Sequence, residues 1–263
     1  MNHYKNAVII VTGGASGIGE CLVEQLSALG GNIIVVGRSA QPKNFPYVYF
    51  QADMTDEEAV KQLFNFVDDK YGRIDYVFNN AGIFMAGEIR DTPLENWRKV
   101  INNNIWAVSN GAHFAYQYML KQGSGHIINV SSAAGLFPVP IMGIYGASKY
   151  AILGMTHALR NEAKYFGINV SAVCPTIVNT PLYDTAIYNK LNKGKVLANR
   201  KKVQSPDVAA RRIIKGVAKN KATIHTAFST KLGRWTYVFM PGIYNYLAQR
   251  AIAKYRSSLR LEK

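Results

Sequence analysis

Tyr145 and Lys149 stand at i and i+4 in Tyr145-Gly146-Ala147-Ser148-Lys149, a spacing that turns both toward one side of a helix. An ammonium near a phenol favours the phenolate and lowers a pKa that starts near ~10. The pair is thereby suited to proton transfer nearer neutral pH. Alone, such a pair is usually a solvated helix surface. Here Ser132 lies 13 residues earlier, just after an expected strand, and the three together form a candidate catalytic group.

A second chemical signal lies near the N-terminus. The strand-like run Ala7–Val11 leads straight into Thr12-Gly13-Gly14-Ala15-Ser16-Gly17-Ile18-Gly19. Glycines there permit a tight turn and a close approach of backbone N–H groups to a pyrophosphate, which a helix N-terminus also attracts. A glycine turn by itself is weak evidence, but its place between a first strand and a first helix is the context that nucleotide binding requires. The end of the second strand, about 20 residues on, should carry the residue that distinguishes NAD from NADP. The chain has Gly37-Arg38-Ser39 there. An Arg can pair with a 2′-phosphate, and with no carboxylate expected beside it NADP(H) is favoured, NAD(H) remaining open. The plainer reading makes Arg38 a solvated turn residue.

These groups need a scaffold. Expected strands at Ala7–Val11, Asn32–Val36, Tyr47–Gln51, Asp75–Asn79, His126–Val130 and Asn169–Cys174 alternate with helices. The helices fall at Gly17–Leu29, Asp56–Tyr71 (with Thr55 as N-cap), Leu94–Lys121 (one helix or two) and Tyr145–Phe166. The alternation predicts an α/β fold: a Rossmann-type, doubly wound parallel sheet in one domain over 1–263, with ligands at the strands' C-terminal edge. Cys21 and Cys174 are too few for a disulfide framework and suggest a reducing, cytoplasmic setting. The apolar windows are too short or too interrupted for a membrane span. The five His show no metal-ligand spacing, so no metal is expected.

The ordered set Thr12–Gly19, Asp53, Asn79-Asn80-Ala81-Gly82, Asn104, Ser131-Ser132, Tyr145-x-x-x-Lys149 and Pro175–Thr180 resembles the short-chain dehydrogenase/reductase family. The resemblance covers roughly residues 5–180. It implies that Tyr145 is the general acid/base, that Lys149 lowers its pKa and holds the nicotinamide ribose, and that Ser132 hydrogen-bonds the substrate oxygen. Asn104 would hold a water linking Lys149 to solvent. Gly13, Ser16, Gly17, Ile18, Gly19, Arg38, Asp53, Met54, Asn80, Ala81, Gly82, Pro175, Val178 and Thr180 would bind the dinucleotide, with Asp53 at the adenine. Two departures stand out. Pro175 is followed by Thr176 where the family usually has Gly, and Ser16 sits where many NADP-using members are basic. The expected reaction is hydride transfer between nicotinamide and a hydrophobic, lipid-like ketone or secondary alcohol, in a homodimer or homotetramer. The alternative is a non-catalytic NADP(H)-sensing module.

The net charge of +15 is not spread evenly. Residues 1–180 carry 13 basic and 13 acidic residues, whereas 181–263 carry 18 basic against Asp184, Asp207 and Glu262. Residues 181–204 are expected to be a substrate lid, whose Lys190, Lys193, Lys195, Arg200, Lys201 and Lys202 form either a solvated loop or a funnel for an anionic carrier. Residues 231–263 form a basic, aromatic extension. In its helix Tyr244, Leu247, Ala248, Ala251, Ile252, Tyr255 and Leu259 share one half, opposite Arg250, Lys254, Arg256 and Arg260. That helix fits either a peripheral membrane contact or packing on its own domain or a sister subunit. No nucleic-acid-reading motif is present, and no nucleic acid is expected.

Overall fold

The computed structural model describes residues 3–198 and 203–261. The β-branched runs form β1 (Val8–Thr12), β2 (Asn32–Gly37), β3 (Val48–Gln51), β4 (Tyr76–Asn79), β5 (Met85–Ala86), β6 (Gly125–Val130), β7 (Ile168–Cys174), β8 (Ile187–Tyr188) and β9 (Thr223–His225). Seven pair in the parallel order β3-β2-β1-β4-β6-β7-β9. The order reverses at β1, so a crevice opens above the C-terminal ends of β1 and β4. β1 is apolar throughout because it is covered on both faces. Val8 and Ile10 pack with Leu63, Phe64 and Met119, while Ile9 and Val11 pack with Leu22, Leu26 and Ile213.

Helices α1 (Gly17–Ala28), α2 (Glu57–Tyr71), α3 (Leu94–Ile101), α4 (Ala107–Gln122) and α5 (Gly143–Ala163) follow the expected places, with corrections in detail. Asp56, not Thr55, caps α2: its carboxylate accepts from Glu58 N at 3.0 Å and Ala59 N at 3.2 Å. A carboxylate there also faces the positive end of the helix dipole, which a Thr hydroxyl would not match. The stretch Leu94–Lys121, expected as one or two helices, holds two, joined by a π-helical turn at Asn102–Trp106, a local widening that often accompanies functional sites. α5 begins two residues before Tyr145, so Tyr145 lies within the first turn.

Beyond α6 (Lys193–Ala198) and α7 (Pro206–Ala218), the chain ends in α8 (Phe228–Phe239) and α9 (Pro241–Ser258). Two arginines expected on the free half of the tail helix, Arg256 on α9 and Arg260 just past its end, are tied to acidic side chains. Arg256 donates to both Glu88 oxygens at 3.0 and 2.9 Å, and Arg260 reaches Glu88 at 3.1 Å and Asp91 at 2.7 Å. Main-chain bonds from Leu261 to Lys190 (3.1 Å) and from Asn192 to Leu259 (2.9 Å) strap the same segment to residues 190–192. Periodicity placed these arginines on a free polar half because it cannot see acids more than 160 residues away in sequence.

Hydrogen bonds from Arg256, then from Arg90, hold the Glu88 carboxyl well below its ordinary 4.5, at about 2. A depressed carboxylate contributes stability that is present above the unfolded pKa and lost as pH falls through the folded one. The melting-temperature gap between wild type and Glu88→Gln should therefore be largest at neutral pH. It should close between about 4.5 and about 2, as thermal scans across that window would show.

Candidate active site

At the sheet's switch point one hydroxyl joins two chain segments. Thr12 Oγ1 accepts from the backbone N–H groups of Asn80 and Ala81, each at 3.0 Å. Asn80 returns the contact, its Nδ2 donating to Thr12 O at 3.0 Å and Gly13 O at 3.3 Å. The turn after β1 is thus locked to the turn after β4. Gly13 and Gly17 adopt φ of +64° and +58°, which favour glycine. A Cβ on Gly19 would overlap the Gly13 carbonyl, so Gly19 lets α1 pack onto the turn and does not itself face the crevice. This cradle of open backbone at a helix start suits a pyrophosphate.

A cavity of about 340 Å³ begins at this cradle. Its walls bring together every expected dinucleotide residue except Gly19: Gly13, Ser16, Gly17, Ile18, Arg38, Asp53, Met54, Asn80, Ala81, Gly82, Pro175, Val178 and Thr180. Ser132, Tyr145 and Lys149 line it as well, whereas Asn104 does not. At one end Arg38 donates to Asn103 Oδ1 at 3.0 Å, and its guanidinium lies 4.0 Å from the Asp53 carboxylate. This corrects the expectation that no carboxylate accompanies Arg38. The neighbouring strand β3 delivers Asp53 to the same edge. Both side chains are about half exposed, so the pair is held loosely and the guanidinium is preset by Asn103.

At the other end Tyr145 and Lys149 are buried, at 8% and 5% exposure. Burial raises the Tyr145 pKa, and a hydrogen bond with Ser132 lowers it in part. Ser132 Oγ also accepts from Ala134 N at 3.2 Å. The expected lowering of Tyr145 by Lys149 is not seen. Lys149 is itself desolvated to about 8, its Nζ donates to Val130 O at 3.1 Å, and it lies 5.8 Å from the Tyr145 ring centre. With burial dominant, the resting phenol is neutral and able to donate a proton.

Asn104, fully buried on the π-helical turn, spends its side chain on protein: it accepts from Ile83 N at 2.8 Å and donates to Ile83 O and Ser148 Oγ, each at 3.1 Å. It therefore braces the Gly82–Ile83 segment through three hydrogen bonds of its amide. Gly82 has to be small here, because a Cβ would sit 3.0 Å from Asn104 Oδ1 and 3.6 Å from Lys149 Nζ. Thr176, the departure from the usual Pro-Gly, donates its N–H to Thr226 Oγ1 at 3.2 Å and lines the cavity. Sequence reasoning passed over the Thr12 hydroxyl and Asn103. The run Asn102-Asn103-Asn104 at a helix centre was the available signal, since Asn is a weak helix former.

The apolar side is divided. Phe84 meets Tyr145 edge-on at 4.9 Å and Tyr183 at 4.9 Å, within a cluster that includes Val139, Ile141, Met142, Tyr188 and Tyr255. Met85 and Leu136 pack into other clusters. β5 pairs with β8, so the chain from Thr180 folds over this cluster. Lys193 donates to Asp184 O at 2.5 Å and Lys195 to Ser258 O at 3.2 Å. Arg200, Lys201 and Lys202 lie outside the described residues. No helix among the described residues is long and apolar enough to cross a membrane.

A nucleotide cradle at the switch point, joined to a buried Ser-Tyr-Lys group, defines a dinucleotide-linked oxidoreductase site. The chain matches the family described as short chain dehydrogenase over residues 7–190. An uncharacterised oxidoreductase of Staphylococcus epidermidis is 34% identical over 216 residues, spanning 80% of this chain and 90% of its own. Among solved structures, a short-chain dehydrogenase/reductase from Burkholderia phymatum in complex with NAD superposes with a TM-score of 0.80 at 23% identity, covering 89% of this chain and 93% of its own. ElxO with NADP bound superposes at 0.74 with 24% identity, covering 86% and 99%. This chain belongs to the short-chain dehydrogenase family, whose members are oxidoreductases acting on CH–OH and C=O groups.

Thr12→Val keeps the shape of the junction but leaves two N–H groups without their acceptor. Each orphaned donor costs roughly 1–3 kcal/mol. The variant should melt several degrees lower, and dinucleotide binding measured by calorimetry should weaken; an unchanged melting temperature would remove the junction from its structural role.

Proposed function

We propose that this protein is an NADP(H)-dependent oxidoreductase that interconverts a hydrophobic ketone and the matching secondary alcohol. The observation that carries this reading is the single cavity that joins Arg38 to Ser132, Tyr145 and Lys149. The bound dinucleotide supplies or accepts the hydride, and the protein's part is orientation and proton transfer.

Arg38, held by Asn103, offers a cation to a 2′-phosphate, and the nearby Asp53 carboxylate is turned toward Thr55, accepting its N–H at 2.9 Å. The glycine cradle takes the pyrophosphate. Lys149, buried beside Gly82, is placed to donate to ribose hydroxyls and carries its charge below about 8. In carbonyl reduction the neutral Tyr145 gives its proton to the substrate oxygen. Ser132 holds that oxygen by a hydrogen bond that strengthens as negative charge develops. Alcohol oxidation is the reverse and needs Tyr145 as phenolate, which burial disfavours. The edge-on Phe84 and the tyrosines at 183 and 188 give the substrate an apolar, aromatic surround in place of polar groups suited to a sugar. Exposed Trp106, Tyr150 and Phe166 on and beside α4 and α5 support pairing of subunits through that face.

Two variants separate the parts of this reading. Tyr145→Phe should bind NADPH normally and lose on the order of 10²–10⁴-fold in kcat, the usual contribution of general acid–base catalysis. Retention of more than about a tenth of wild-type turnover would overturn its role. Arg38→Ala should weaken NADPH binding tenfold or more, on the order of the 1.5–3 kcal/mol of a charged hydrogen bond, and leave NADH nearly unchanged. Tighter binding of NADH than NADPH by the wild type would contradict the cofactor assignment.

A further inference from the structure

The structure leaves one large apolar surface that the oxidoreductase site does not use. On α8, Phe228, Leu232, Trp235 and Phe239 recur at i, i+4, i+7 and i+11, which aligns them in one narrow stripe. All four are exposed, from 51% for Trp235 to 77% for Phe228. The stripe continues round the corner to α9 through Val238, Met240, Ile243, Tyr246 and Leu247, each at least 38% exposed. Trp235 and Phe239 rings lie 5.8 Å apart, so the aromatics form one patch. The inner side of the corner is fixed: Tyr244 donates to Pro138 O, and its ring meets Phe137 at 6.0 Å. Both belong to the segment that leads into α5 and Tyr145.

Charge identifies what this face suits. Lys231 and Arg234 stand about one to two turns back from the corner along α8, and Arg250 and Lys254 stand roughly two and a half and three and a half turns along α9. No acidic residue occurs between Asp207 and Glu262. An apolar, tryptophan-bearing tip with cations roughly 8–12 Å back along α8 and roughly 14–20 Å along α9, at 1.5 Å of rise per residue, puts apolar surface ahead of charge as the acyl and headgroup layers are ordered. Trp and Tyr also favour that boundary for their mixed character. A second copy of this chain would bring the same cations against one another, whereas acidic lipid would neutralise them.

We propose that the α8–α9 corner docks the protein on an anionic phospholipid surface, with Trp235, Phe239 and Ile243 inserted among the acyl chains and Lys231, Arg234, Arg250 and Lys254 on the headgroup phosphates. The protein then sits as a peripheral partner of the bilayer, with the segment leading to its catalytic tyrosine turned toward the lipid. This contact does not depend on the cofactor assignment.

The full chain should sediment with vesicles of an equal mixture of phosphatidylcholine and phosphatidylglycerol, and far less with phosphatidylcholine alone. High salt should release it. Lys231→Gln/Arg234→Gln should lower the partition coefficient by on the order of thirtyfold, from about 1 kcal/mol per cation. Trp235→Ser/Phe239→Ser should abolish sedimentation, with NADPH binding and melting temperature unchanged in both variants as the control for folding. Three results would overturn the proposal. One is a wild-type protein that stays in the supernatant with acidic vesicles. Another is equal sedimentation with both vesicle types. The third is an apolar variant that turns a dimer into a monomer in gel filtration while still sedimenting like wild type.

Discussion

The bond between Thr12 and the backbone of Asn80 and Ala81 is the constraint on which the site depends. A parallel sheet whose order reverses at β1 must leave a crevice between the turns after β1 and β4. Left to themselves, two glycine-containing turns would be mobile. The Thr12 hydroxyl, buried at 2% exposure, and the Asn80 amide fix them to each other with four hydrogen bonds. Everything further along the crevice inherits that position: Gly82 beside Lys149, Asn104 beneath Ile83, and so the end of the cavity where Tyr145 stands.

The burial that shapes the cavity also sets its chemistry. Removing water from Tyr145 and Lys149 drives their pKa values apart, the phenol up from its ordinary 10.0 and the ammonium down from 10.5 to about 8. Each charged form is disfavoured, so the resting site holds a protonated phenol beside a readily titrated amine. The residues hold this arrangement at some expense in stability, as polar groups in a low-dielectric interior do. The acidic pair that holds two of the tail's arginines lies near the same apolar cluster. Glu88 and Asp91 clamp Arg256 and Arg260, and Tyr255 is drawn into contact with the cluster that contains Phe84 and Tyr145.

The parts of this structure set by local pattern were legible in the sequence. Apolar β-branched runs and glycine turns follow from strand burial and backbone sterics, so the parallel sheet, the cradle and the Ser132–Tyr145–Lys149 grouping could be read from spacing and resemblance. Features set by contacts distant in sequence could not. The π-helical turn at Asn104 answers to Ile83 and Ser148, and its own neighbours offer only the weak signal of three consecutive Asn. Asp53 reaches Arg38 only because β3 lies beside β2. The ion pairs of Arg256 and Arg260 depend on a segment that precedes them by more than 160 residues. Even the cap of α2 turned on one atom's reach, Asp56 winning over the adjacent Thr55.

The charge asymmetry now has a structural meaning. A neutral sheet and cradle form the cavity, and the cations divide between a clamp on Glu88 and Asp91 and an exposed helical corner. The central claim is that one crevice holds the dinucleotide from Arg38 to Tyr145. A crystal structure of the protein with NADP⁺ tests it most directly. The account predicts dinucleotide density running from Arg38 and Asp53, across the Gly13–Gly17 turn, to Ser132, Tyr145 and Lys149. Density at another site, or an empty crevice at saturating NADP⁺, would contradict it.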